Sequence, residues 1–384
     1  MRPTRPRKRR CLRCCCASAW PGSNSARRCE RAVGADAAAD FTSALYLGLR
    51  HGRATLDDWP ALTLGKPAAL AEVPGARAVA RELAQLQGCA AATLLPSTLH
   101  LFWDLFGMLG RQREGRPYTV LVDGAAYPVA RWGAERATGM GLPLRVFRSG
   151  ALPELAVLVS QARNLGRRPL ILADGYYPGH ADAPPLARYA ALAARADGLL
   201  LLDDTQALGV LGRRGGGSVA AHGLAGAPVL VGASLAKGFG VPLAVLAGST
   251  ALVRRFESVS DMRLHASPPA VATVVAARHA LALNAACGDA LRATLRQRIG
   301  EFRAALAARG IAAEGGAFPV QAVRLPRRLD LAPAHAALRR EGVMAVPQCR
   351  GGAALLAFLL RADHTKADIA RAAQALRHHV KELA

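Results

Sequence analysis

Five lysines stand in the 384 residues: Lys8, Lys66, Lys237, Lys366 and Lys381. Only Lys237 lies in an apolar, glycine-rich stretch, Gly232-Ala-Ser-Leu-Ala-Lys-Gly-Phe-Gly240. Burial lowers a lysine's pKa and favours the neutral amine, which is the form that adds to a carbonyl and makes an imine. A surface lysine between two strands fits the local sequence equally well. Asp203 and Asp204 follow the apolar run Gly198-Leu-Leu-Leu-Leu202. A carboxylate at such a strand end can keep a pyridinium nitrogen protonated, turning a pyridoxal-phosphate (PLP) ring into an electron sink. An ordinary strand-end aspartate, or a metal ligand, is the other reading.

Spacing links the two. Lys237 comes 34 residues after Asp203 with the apolar run Val229–Val231 between them, so both can reach one site from neighbouring strand ends. Ser234, three residues before Lys237, can offer its hydroxyl to a phosphate. Pro96-Ser97-Thr98-Leu99 opens an apolar helical run ending at Leu109. Ser97 and Thr98 then sit at a helix N-terminus, where free N–H groups favour an anion, or serve as a plain cap. Tyr127 follows the run Thr119–Val122, where an aromatic can stack on a planar cofactor or simply pack at an interface.

These residues need a frame. Beyond residue 90, short aliphatic runs alternate with amphipathic ones, the pattern of a mostly parallel sheet covered by helices. Strands are expected at Thr119–Val122, Leu144–Phe147, Pro169–Ala173, Leu199–Leu202, Val229–Val231 and Leu243–Ala247. Helices are expected at Pro128–Thr138, Leu152–Leu165 and Pro185–Ala196. In such sheets ligands bind beyond the carboxyl ends of the strands. After residue 250 two long helices, Pro268–Asn284 and Asp289–Arg309, lead to a smaller lobe with strands near Val320–Arg324 and Ala354–Leu359 and a closing helix from Lys366 to Leu383. The expected organisation is a basic leader over 1–38, disordered or spuriously translated, an N-terminal arm and large domain over 39–250, and interdomain helices plus a small domain over 251–384.

Composition excludes several classes. With 52% hydrophobic and 20% charged residues, the chain reads as a globular enzyme. Of the net charge of +23, residues 1–32 carry ten basic residues against the single acid Glu30; the rest is dispersed arginine with no aromatic stacking platform, so nucleic acid is not an expected partner. No run reaches the roughly 20 apolar residues of a membrane span, and the default location is cytoplasmic. Cys11, Cys14, Cys15, Cys16 and Cys29 crowd the head while Cys89, Cys287 and Cys349 are scattered, which makes neither a disulfide framework nor a zinc site.

The motifs have a family pattern. Leu202-Asp-Asp-Thr-Gln-Ala-Leu-Gly-Val-Leu-Gly212, with Gly215-Gly-Gly217 after it, and Ser234-Leu-Ala-Lys-Gly-Phe-Gly240 resemble the paired elements of the α-oxoamine synthase group of fold-type I PLP enzymes, within aminotransferase class I/II. Phe41-Thr-Ser-Ala-Leu-Tyr-Leu-Gly-Leu49, Asp182-Ala-Pro-Pro-Leu186 and His265-Ala-Ser-Pro-Pro269 agree in order, so the resemblance runs from about Phe41 to the C-terminus.

The resemblance implies an α/β fold whose large domain holds a mostly parallel seven-stranded sheet, with a smaller α+β C-terminal domain. It implies PLP as cofactor, with Lys237 as the Schiff-base lysine, Asp203 as the pyridinium partner and Gln206 as a third catalytic position. Ser234, Tyr127, Ser97, Thr98 and Leu99 are the further cofactor contacts, and Ser267 is a phosphate contact offered across a homodimer interface. No metal is implied. The implied reaction is decarboxylative condensation of an amino acid with an acyl thioester, the acyl group carried on CoA or a carrier protein. Transamination on the same scaffold, or a non-catalytic derivative, are the alternatives. Four departures bear on this choice. Gln206 replaces a histidine, and an amide cannot act as a general acid; Pro178 replaces a hydroxyl residue; Ala44 replaces an asparagine; Leu355 and Ala357 stand where a carboxylate-binding arginine is expected. Arg350 and Arg361 are the candidates to compensate.

Overall fold

The computed structural model describes residues 38–111, 115–179, 183–327 and 329–381, and the expected leader lies outside them. Aliphatic runs flanked by turn residues become the strands of a seven-stranded sheet, each nearly continuous in apolar side chains because both faces are covered. The strands are β1 (Ala39–Asp40), β2 (Ala91–Leu95), β3 (Tyr118–Asp123), β4 (Leu144–Phe147), β5 (Arg168–Asp174), β6 (Leu199–Asp203), β7 (Val229–Ser234), β8 (Ala244–Gly248), β9 (Val320–Arg324), β10 (Val343–Met344), β11 (Val346–Arg350) and β12 (Ala353–Leu359). The large sheet has the order β2-β8-β7-β6-β5-β3-β4, and only β8 runs against its neighbours.

The helices are α1 (Ala76–Gln87), α2 (Thr98–Gly110), α3 (Pro128–Gly139), α4 (Leu152–Asn164), α5 (Leu186–Ala194), α6 (Gly217–Ala221), α7 (Thr250–Val259), α8 (Asp261–His265), α9 (Val271–Ala307), α10 (Leu331–Arg340) and α11 (Lys366–Leu376). Alternation along β5 shows how they pack. Leu170 and Leu172 meet Leu101, Phe102 and Phe106 of α2, while Ile171 and Ala173 meet Leu155 of α4 and Tyr189 of α5. Fully burying side chains of this size contributes roughly 1.5–3 kcal/mol each before the entropy cost of ordering them.

The smaller lobe is a three-stranded antiparallel sheet, β11-β12-β9, with α10 and α11. Two sequence expectations change. The separate helices over Pro268–Asn284 and Asp289–Arg309 are the single 37-residue helix α9. Its middle holds because Asn284 Oδ1 accepts from buried Arg292, one turn to each side of Gly288. By length and composition α9 would cross a bilayer. Its Val274, Ala277, Leu281, Ile299 and Phe302 instead fill the core between the lobes. The closing helix ends earlier than expected, at Leu376, followed by a π-type turn over Arg377–Lys381.

Candidate active site

β5, β6 and β7 run parallel and side by side, so their carboxyl ends form one edge, and there the chain leaves the sheet into loops. A cleft of about 370 Å3 opens at that edge, lined by Thr98, Tyr127, Asp174, Tyr177, Pro178, Asp203, Thr205, Gln206, Ser234 and Lys237 among others. Six of the residues singled out from sequence thus meet: Lys237, Asp203, Gln206, Ser234, Tyr127 and Thr98. Ser97 caps α2, accepting from His100 N at 3.4 Å, and lies just outside the lining. Leu99 is exposed on the first turn of α2, and Ser267 is exposed beyond α8; neither lines this cleft within one chain. A larger cavity, about 690 Å3, lies elsewhere, along α1 and the Arg213-Arg214 turn, and contains none of these residues.

Asp203 ends β6 almost fully buried, and Thr205 turns back to give it a backbone N–H at 3.1 Å and its hydroxyl. Burial raises the Asp203 carboxyl, while Thr205 and the Lys237 ammonium pull it down. The same Thr205 hydroxyl oxygen accepts Ser234 N–H at 3.0 Å, tying the ends of β6 and β7. Lys237 occupies the turn after β7. Burial lowers its amine, opposed by Asp203 and Asp174. Its Nζ lies 6.0 Å from the centre of the Tyr127 ring, at the limit of a cation–π contact. That ring is 55% exposed at the start of α3, leaving a face open to the cleft mouth.

The turn that carries Lys237 sits close to the loop after β6. A side chain at Gly209, whose φ is +86°, would meet the Cα of Gly238 at 2.8 Å, so both positions need glycine. Gln206 is oriented by Tyr46, whose hydroxyl donates to its Oε1 at 2.7 Å. Of the two compensating arginines, Arg361 is buried and committed to Asp363 and the Asp40 carbonyl, both at 2.8 Å. Arg350 instead donates to the carbonyl of Gly179, next to the cleft residue Pro178. Leu355 and Ala357 are fully buried core residues of β12.

Three residues that shape the site escaped the sequence reading, two of them in the lining and Tyr46 outside it. Asp174 carries the same signal as Asp203, an acid closing an apolar strand. Thr205 lies within a quoted motif but drew no role of its own. Tyr46 reaches Gln206 from 160 residues away, a contact that no local pattern signals. Among the described residues no cluster of His, Cys, Asp and Glu could hold a metal ion.

The family model for aminotransferases of class I and II matches residues 161–376, which include the Asp203 and Lys237 strand ends. The chain belongs to this family. Its relatives include the 8-amino-7-oxononanoate synthases of Marinobacter nauticus, 32% identical over 58% of this chain and 58% of that one, and of Paracidovorax citrulli, 36% identical over 59% and 57%. The matched stretch is therefore under two thirds of the length of either relative. Within the family, the fold is shared with the serine palmitoyltransferase of Sphingomonas wittichii (18% identity, TM-score 0.75, 88% of this chain and 86% of that one). It is shared too with the 8-amino-7-oxononanoate synthase of Francisella tularensis (17% identity, TM-score 0.72, 91% and 99%). A structure of SPT with PLP superposes at TM-score 0.77 over 89% of this chain and 87% of that one, at 17% identity.

Proposed function

We propose that the chain is a PLP-dependent transferase that joins an amino acid to an acyl thioester, releasing carbon dioxide and a thiol. The carrying observation is that Lys237 and Asp203, from neighbouring strand ends, line one cleft as an amine and a carboxyl. The residues present fit the cofactor. The Lys237 amine would hold its aldehyde carbon and the buried Asp203 its ring nitrogen, while the N-terminus of α2 at Thr98 and the Ser234 hydroxyl would hold the phosphate. The open Tyr127 face would cover the ring. When bound, PLP supplies an electron sink for negative charge at the substrate carbon.

The protein's own contribution is positional. Thr205 favours the charged form of Asp203 against its burial, Lys237 is desolvated toward the neutral amine, and Tyr46 fixes which way Gln206 presents its amide. The name serine palmitoyltransferase, which joins an amino acid to an acyl group, supports substrates of those two classes. The exposed apolar residues Leu99 and Trp103 of α2 support a homodimer that would bring Ser267 to the partner's cleft. Cys89, Cys287 and Cys349 are all free thiols, which supports a cytoplasmic setting.

Purified protein incubated with PLP should develop the absorbance band of a lysine-bound cofactor, and Lys237→Ala should abolish it. A wild-type protein without that band would refute the proposal. Thiol release from an acyl thioester in the presence of amino acids, without need of a 2-oxo acid, is the expected activity; amino-group exchange alone would assign transamination instead.

A further inference from the structure

We infer that Asp174 is the proton-transferring carboxyl of this cleft, filling the role for which Gln206 has no ionisable group. The inference rests on the proposed function and deepens it. Asp174 is the last residue of β5 and pairs in register with Asp203, the last residue of β6. In-register residues on parallel strands stand about 4.8 Å apart with side chains on one face. Two carboxyls, 6% and 5% exposed, therefore lie side by side in the lining of one cleft.

Their surroundings differ. Asp203 receives two hydrogen bonds from Thr205 and faces Lys237. Asp174 receives the Tyr127 N–H at 3.1 Å on Oδ1, and its other oxygen takes no hydrogen bond among the described residues. Among the described residues, the charged and titratable groups facing Asp174 are Asp203 from β6, Asp123 from the end of β3, Tyr177 from the loop after β5 and Lys237 from the turn after β7. Lys237 is the only cation among them. Adjacent buried carboxyls do not both ionise, and the one whose charge is better compensated by hydrogen bonds and a neighbouring cation keeps it. Asp203 therefore holds the charge and Asp174 the proton. Burial first, and then the Asp203 charge, place the Asp174 carboxyl well above the usual carboxylate range.

The step balances without a further reagent. As the thioester carbonyl is attacked, its oxygen gains an electron pair. That pair takes the Asp174 proton, the Asp174 O–H bond breaks, and a carboxylate remains. When the carbonyl re-forms and the thiolate leaves, the proton returns to Asp174.

Asp174→Asn keeps an oxygen for the Tyr127 N–H and removes only the ionisable group. Infrared spectra of the unloaded protein at pH 7 should show the carbonyl stretch of a protonated carboxyl, absent in Asp174→Asn. The band should also weaken in Asp203→Asn, where the neighbouring charge is gone and Asp174 is free to ionise; that variant keeps the test open if Asp174→Asn fails to fold. In Asp174→Asn the PLP dissociation constant should stay within about threefold while thiol release falls about 100-fold or more, and adding Gln206→His should restore at least about tenfold. A missing infrared band, or a loss of cofactor affinity that accounts for the loss of turnover, overturns the inference. Absence of the cofactor absorbance in wild type instead removes the PLP proposal, whatever the infrared result.

Discussion

Asp204 is next to Asp203 in sequence and remote from it in role. Its carboxyl is fully buried, accepts Ser218 N–H at 2.9 Å, and leaves Oδ1 without a hydrogen-bond partner among the described residues. Burial pushes this acid up to about 6 from an unfolded value of 3.8. A carboxyl raised by folding costs stability once ionised: the penalty is absent below the unfolded value, grows as pH climbs, and is complete above the folded value. Asp204→Asn should therefore gain stability over wild type by about 2 to 3 kcal/mol between pH 4 and pH 7, measured as the change in their difference by urea unfolding. At this scale the sequence was partly legible. Lys237 stood out because lysine is scarce in an arginine-rich chain, and Asp203 because an acid ends an aliphatic run. Asp174 met the same criterion, following Pro169–Ala173 as Asp203 follows Leu199–Leu202, and was not singled out.

Among the elements, strands buried on both faces were readable to within one or two residues of each end, apart from β7, which runs three residues further, and β2, which was not anticipated. The two-residue pieces β1 and β10 are too short to establish a period, and β11, Val-Pro-Gln-Cys-Arg, is not an apolar run. The break expected in α9 followed Gly288, a poor helix former that here is framed by Asn284 and Arg292. Arg292 does more than bridge a turn. It also donates to the Gly209 carbonyl at 3.2 Å, in the loop that packs on the Lys237 turn, and pairs with Asp289 at 2.7 Å. Arg292→Met should strand the Gly209 and Asn284 acceptors in the interior and cost about 2 to 4 kcal/mol, read as a fall of several degrees in Tm.

For the whole molecule, the change of pattern near residue 250 was the sequence's only sign of a second unit, and the three-stranded sheet β11-β12-β9 is built from residues beyond it. Leu99 and Trp103 stand one helical turn apart on α2, both more than 40% exposed. If they seal a dimer, the double variant Leu99→Glu/Trp103→Glu should sediment as a monomer where wild type sediments as a dimer, with PLP affinity reduced because Ser267 no longer reaches its partner. The arm before α1 has a separate significance. Ala39 and Asp40 pair in parallel with Val343 and Met344, and Asp40 also accepts from Arg361 and His364. A chain made from its N-terminus thus carries Phe41, a core ring, with no shelter until some three hundred further residues have emerged. Contacts of such sequence separation form slowly. The large sheet, drawn wholly from 91–248, can assemble first; the arm that sets Tyr46 against Gln206 must wait, so the edge bearing Lys237 and Asp203 forms before the final shaping of the cleft.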